Sequence, residues 1–405
     1  MMESLLHGIR VLESTSWMQG PAVGSMLGDL GADVIKIEDR VHGDGVRGIM
    51  PTLRAQAGAK ERNYVFESVN RNKRGIAVDL HKQAGRDIVY KLIQTADIFV
   101  HNLRPDVPQT LGIDYEALSS HNPKIIYVEA SGMGPEGPDR LEPSYELTIM
   151  GRTGMLFMAG EPGSPPLMPL PGLGDMIGAM VATLATIAAL LARERDGIGQ
   201  KVSTSLLGSL LMVGNVPITG KLLMGSSLAR RSTNTMANPL WNHYKCGDDK
   251  WINLAMLQAD KHWPALCRLM GIEYLEKDPR FAAIEARSKN SEELITILNG
   301  VFGTKPQEEW VQRFRESGEL IYGPINTIDD AVEDPQILAN RYLIDYEHPV
   351  YGLSKLLGFP YQFSEAELSV KRPAPEFGQH TEEVLVESGY TWEDIIRLKE
   401  QEVIP

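Results

Sequence analysis

Residues 9–38 read IRVLESTSWMQGPAVGSMLGDLGADVIKIE, and the fold follows from how they divide. The run at 9–13 is short, apolar and β-branched, as a buried strand requires. Residues 21–30 open on Pro21, whose fixed φ suits a first helical turn, and end at Gly31, a plausible left-handed cap. Residues 33–38 return to a strand pattern. Further strands are expected at 74–80, 97–101, 124–128 and 200–205. A helix is expected over 85–95, a long apolar one from Asp175, and another to about 223. Strands separated by helices predict an α/β fold with a doubly wound parallel sheet.

Downstream the texture changes. The polar stretch 225–238 reads as a linker. Four of the six tryptophans, at 241, 251, 263 and 310, then fall between 238 and 319, with helical runs at 259–270 and 306–316. This predicts a smaller α+β domain at 225–322 with its linkers, between a large-domain first part (1–224) and a C-terminal part (323–405). Helix starts are expected at Thr381 and near Thr391. No internal repeat is visible.

At 405 residues the chain is long enough for two domains and a sizeable core. Its net charge of -13 argues against nucleic acid as a partner, because phosphate neutralisation needs a basic face. Two cysteines, Cys246 and Cys267, make neither a disulfide framework nor a zinc site, so a reduced, cytoplasmic setting is the default. Residues 1–7 lack the features of a signal peptide. Residues 176–192 carry no charge and approach the length of a membrane span, but they are rich in Ala, Gly and Thr and flanked by charges, and no second span is read. A buried core helix is the expectation, with no membrane partner.

Asp175 heads that helix in PGLGDMIGAM (171–180). A helix start favours a carboxylate, and the simplest reading is a cap. The alternative is a reactive carboxylate, with Gly172, Gly174 and Gly178 clearing room for another molecule. The first strand–helix turn, ESTSWMQGP (13–21), lacks the Gly-x-Gly-x-x-Gly needed to seat a pyrophosphate, which excludes a conventional nicotinamide enzyme. No Walker loop, nucleophile-elbow serine or His-Glu-x-x-His helix is present. Cations gather in NRNKRG (70–75), at Arg104 in HNLRP (101–105), and at Arg40 and Arg47. They are either solvated loop charges or, if they lie together at strand ends, the site of a phosphorylated ligand.

One ordered set of motifs runs along nearly the whole chain: GIRVLE (8–13), GP (20–21), LGADVIKIE (30–38), NRNKR (70–74), NLRP (102–105), LGIDY (111–115), NPKII (122–126), GD (174–175), RERDG (193–197), GQ (199–200) and GQHTEEV (378–384). In this order the sequence resembles the class III CoA-transferase family, which includes the formyl-CoA and carnitine CoA-transferases. The resemblance implies that Asp175 is the catalytic aspartate, acylated by an acyl-CoA and passing through an aspartyl-CoA thioester. It implies that Trp17, Met18 and Gln19 line the CoA pantetheine, and that Arg40, Lys73, Val78, His81, Asn102, Leu103 and Arg104 lie at or beside the adenine and phosphates. Tyr145 and Glu146 match the pair that helps hold the intermediate. Racemases of the superfamily carry a histidine at the position of Tyr145, which ranks that activity below transfer; a non-catalytic CoA-binding subunit is a further alternative. The run NPLWNHYK (238–245) has no glycine cluster of the oxalate type. It is similar to members acting on aryl-lactates, 2-hydroxyisocaproate or benzylsuccinate, so a bulky acid is expected, with succinyl-CoA among candidate donors. Aromatic and Met side chains in this region would make an apolar acyl pocket, unless the tryptophans are simply core. The resemblance further implies an interlocked dimer, with itself or a paralogue, and no metal or resident cofactor.

Overall fold

The computed structural model describes residues 4–49 and 63–405. Contacts divide the chain into two compact units: residues 1–156, 168–227 and 344–405 form the larger, and residues 157–167 and 228–343 the smaller. Both boundaries differ from those expected at 225 and 323. Residues 157–167 join the smaller unit because Arg230 donates to the carbonyls of Phe157 and Ser164, and Glu161 accepts from Thr233. The far boundary moves because Tyr322–Ile325 pairs with a strand of the smaller sheet. Neither long-range contact leaves a periodic signal in sequence.

The larger unit is built on six parallel strands: β1 (Arg10–Ser14), β2 (Asp33–Asp39), β3 (Lys73–Val78), β4 (Ile98–His101), β5 (Ile126–Ser131) and β6 (Gln200–Ser205). Their order is 3-2-1-4-5-6. The order reverses between β1 and β4, which pair with Val11 opposite Ile98. Ligands of open α/β sheets bind beyond the strand C-termini at such a reversal.

Alternation along the strands sorts the core into two layers. Val11, Val34, Ile98, Val100, Ile126 and Val128 face one side, with Ala22, Val23 and Leu27 of helix Gln19–Asp29 and Ala179, Ala182 and Ala189 of helix Leu173–Asp196. Leu12, Ile35, Ile37, Phe99 and Tyr127 face the other, with helix Gln83–Ile93 and the C-terminal helices Thr381–Glu387 and Trp392–Glu400. Both faces are covered, so the strands read as continuous apolar runs.

Helix Leu173–Asp196 is long and apolar enough for a bilayer. One stripe of it nevertheless packs on the sheet. The stretch after β6, expected as one helix to about 223 and not as a span, forms two helices, Leu206–Val213 and Asn215–Met224, bent by 74° at Gly214 and together apolar enough for a second span. Within the larger unit the second of these buries none of its residues.

The smaller unit holds an antiparallel sheet of β7 (Trp241–Lys245), β8 (Trp251–Ala255) and β9 (Tyr322–Ile325) in that order. Helices Ala259–Met270, Ser291–Phe302 and Gln307–Ser317 cover it around Tyr244, Leu254, Phe302 and Phe314. The four tryptophans divide evenly. Trp263 and Trp310 are core, while Trp241 and Trp251 remain about 40% exposed.

Candidate active site

Asp175 is the third residue of helix Leu173–Asp196, whose cap is Gly172 at φ +79°. The simplest sequence reading made this carboxylate the cap. Glu146 does that work instead. From the start of helix Glu146–Arg152, its carboxylate accepts the N–H groups of Gly172 at 2.8 Å and Gly174 at 2.5 Å. The free amides that a helix start presents are therefore taken from outside. Among the described residues, no hydrogen bond or ion pair holds the Asp175 side chain. Burial, reinforced by the neighbouring Glu146 charge, pushes its pKa up to about 7. The stabilisation a helix N-terminus gives an anion is directed at Glu146.

The glycines serve the protein before any ligand. A Cβ on Gly174 would stand 3.1 Å from Glu146 Cγ, and one on Gly178 would meet Leu206 at 2.7 Å and Gln19 Nε2 at 2.9 Å. Their missing side chains let Glu146 and Gln19 reach the helix. A Cβ on Gly172 would likewise lie 3.0 Å from Met18 Cε. The loop after β1 thus brings Met18 and Gln19 against the first turns of the Asp175 helix. Gln19 is buried, and among the described residues its Nε2 has no partner. Trp17 completes the loop with φ +67°, costly for a side-chain-bearing residue. Its N–H donates to Asp44 Oδ1 at 3.0 Å, and its ring meets Tyr145 edge-on with centroids 5.3 Å apart.

Beneath this loop lies a buried ionic cluster. Lys36 Nζ sits 2.9 Å from Asp44 and donates to the Thr15 carbonyl at 2.8 Å. Lys73 Nζ donates to Glu13 (2.7 Å), the Pro21 carbonyl (2.7 Å) and Asn70 (2.9 Å). Sequence reading missed Glu13, Lys36 and Asp44. The available signal was a charge inside each of two apolar strand runs, since a fully buried charge needs a partner.

The expected CoA-contacting residues fall into two groups. Val78, His81 and Leu103 line a cavity of about 320 Å³ beyond the C-terminal ends of β1–β4, with Ser14, Ile37 and Leu111 also in its wall. Asn102 closes the reversal point, accepting the Ser16 N–H at 2.9 Å and donating to the Ser16 carbonyl at 2.7 Å. Arg104 is exposed, and no side-chain bond holds it among the described residues. Arg40 is tied to the C-terminus, donating to the Ile404 carbonyl at 3.2 Å.

The NRNKR cations are a correction. They enter β3 at its N-terminal end, opposite the cavity. Arg71 pairs with Asp29 and Arg74 with Asp33 and Glu387, each at 2.7 Å. Lys73 is fully buried with all three donors engaged, and burial pushes its pKa down to about 8 despite Glu13. It is a structural cation and offers no donor to a phosphate. Arg47 is likewise absorbed, in a two-point pair with Glu38.

The whole chain is similar to known proteins. The model of CoA-transferase family III matches residues 6–381. The (R)-2-hydroxy-4-methylpentanoate CoA-transferase of Clostridioides difficile is 32% identical, over 99% of each chain. The cinnamoyl-CoA:phenyllactate CoA-transferase of Clostridium sporogenes is 30% identical, over 99% of this chain and 97% of that one. Among solved structures, a CAIB/BAIF family protein from Brucella suis superposes with a TM-score of 0.84 at 29% identity, covering 96% of this chain and all of its own.

Proposed function

The chain belongs to CoA-transferase family III, and we propose that it moves CoA from an acyl-CoA donor to a bulky carboxylic acid through covalent chemistry at Asp175. One observation carries the assignment of Asp175: among the described residues its carboxylate has no partner, because Glu146 has taken the cap. A carboxylate held near neutrality is a better nucleophile than a surface aspartate and still ionises at working pH.

The steps balance without water. An Asp175 oxygen attacks the thioester carbonyl, and the C–S bond breaks to give CoA thiolate and an aspartyl–acyl anhydride. The thiolate attacks the aspartyl carbonyl, releasing the donor acid as its carboxylate and leaving an aspartyl-CoA thioester. The acceptor carboxylate attacks that thioester, forming a second anhydride and thiolate again. Attack of the thiolate on the acceptor's acyl carbon yields the new CoA ester and restores Asp175. Gln19, with a buried unpartnered amide, is the donor we assign to the developing oxyanion. Trp17 and Met18 flank the pantetheine, and Tyr145 and Glu146 hold the aspartyl side. The cavity at Val78, His81 and Leu103 takes the adenine, with Asn102 shaping the loop beside it. Arg104 and Arg40 are the cations assigned to the phosphates. CoA is a substrate throughout, and no resident cofactor takes part.

The identity of the acids, succinyl-CoA as donor and a cytoplasmic location are parts of the same proposal. So is a dimer of interlocked chains, supported by the exposed Leu222, Leu223 and Met224 on a helix with no buried residue, since apolar patches of this kind mark interaction surfaces. The deciding experiment mixes enzyme with acyl-CoA and hydroxylamine and maps the modified residue by mass spectrometry. A hydroxamate at 175 supports the mechanism. An unmodified Asp175 in an enzyme that still exchanges CoA refutes it, and α-deuterium washout without an acceptor acid would favour a racemase.

A further inference from the structure

The smaller unit contains a cavity of about 540 Å³ lined by none of the residues described around Asp175. Its wall includes Arg230, Arg231, Met236, Asn238, Trp241 and Leu257, and no carboxylate lines it. The nearest acid, Glu161, is engaged by the Thr233 N–H and hydroxyl at 3.0 and 2.8 Å, so in a chain with net charge -13 the two guanidinium groups are the charges of the wall itself. The two arginines are not equivalent. Arg230 fastens residues 157–164, donating to the carbonyls of Phe157 and Ser164, yet one terminal nitrogen is shielded from solvent and has no acceptor. An unmet guanidinium N–H is costly; this one is closed off, with the guanidinium stacked 4.6 Å from the Phe157 ring centroid, so Arg230 contributes positive charge to the wall and not a direct donor. Arg231 is exposed and unpaired among the described residues. The rest of the wall is mixed: Ser232, Thr235 and Asn238 are polar, while Trp241 projects from the edge of β7 at 40% exposure, with Met236 and Leu257 as its apolar companions in the wall. Cation and indole together suit an anion with a flat or branched hydrocarbon body.

We infer that this cavity binds the free carboxylic acid, its carboxylate on Arg231 within the field of Arg230 and its aromatic or branched body on Trp241 and Met236. Naming that acid a substrate rests on the transferase reading; the binding site itself does not. The test uses full-length Asp175→Asn protein without CoA, titrated with 3-phenylpropionate and followed by calorimetry and tryptophan fluorescence. Arg231→Gln is expected to weaken binding about tenfold or more, and Arg231→Lys by less. The uncharged 3-phenylpropionamide should lose a similar factor. Trp241→Ala should weaken 3-phenylpropionate but not acetate. The site is overturned if amide and acid bind alike, if Arg231→Gln leaves binding unchanged, or if adenosine 3′,5′-bisphosphate displaces the acid. Failure here with a hydroxamate still found at Asp175 removes this site alone. Success here with full exchange activity in Asp175→Asn would remove the covalent mechanism alone.

Discussion

Asp175 and Glu146 lie close together at one helix start and have opposite tasks. Glu146 is bound by backbone amides, whereas Asp175 is left to burial and a neighbouring negative charge. Burial holds the Asp175 pKa near 7, so the ionised nucleophile is lost as pH falls through that value. The expected kcat/KM profile rises with a midpoint near 7 and levels off above it. Glu146→Gln removes the repelling charge, so the midpoint should fall; an unmoved profile would show that another group titrates. Because the folded pKa is raised, the associated stability is full below the ordinary aspartate range and lost as pH rises through about 7. The stability advantage of Asp175→Asn over the parent should therefore grow as pH rises from about 4 to about 7, by up to about 1.4 kcal/mol per pH unit, and stay constant above that, while transfer drops about 10³-fold or more. Lys73→Met tests the opposite role. It should lower unfolding free energy by about 3–5 kcal/mol, as breaking a buried pair does, and leave KM for CoA within about twofold.

At the scale of elements, helix Gln19–Asp29 sits close on the sheet because of one glycine stripe. A Cβ on Gly20 would meet Asn102 and Thr15 at 2.8 Å, one on Gly24 would overlap the Glu13 carboxylate, and one on Gly28 would reach the Asn72 carbonyl at 3.0 Å. Residues four apart share a helix face, and here that face covers the ionic cluster. Gly24→Ala should destabilise by about 1–3 kcal/mol through overpacking against an anchored carboxylate, read from denaturant midpoints. Gly178→Ala behaves differently, since the atoms it meets are the ends of the Gln19 and Leu206 side chains. Helix propensity favours the alanine by up to about 1 kcal/mol. Stability should hold or rise while kcat falls about tenfold through displacement of Gln19. Equal loss of both would mean that Gln19 matters only for packing.

At the scale of the molecule, native mass measurement should return twice the chain mass if the exposed surface of Asn215–Met224 is covered by a second copy; a monomer active at assay concentration would rule that out. How much of this architecture was legible in sequence depended on the range of the forces involved. The parallel sheet was readable because alternation, caps and apolar runs are local properties of a strand or helix. The same local reading placed Asp175 at a helix start. Residues such as Lys73 and Glu146 were misread or only half read, since a motif shows that a charge exists but not which partner reaches it. Lys73 looked like a phosphate cation until Glu13, Pro21 and Asn70 were seen around its ammonium. Asp175 looked like a cap until Glu146, 29 positions earlier in the chain, was found on the amides. The sequence by itself determined which segments become strands and helices, and in what order. Only tertiary structure decided which charges neutralise one another and which carboxylate stays free to react, because electrostatic pairing depends on distance in space and on exclusion of water.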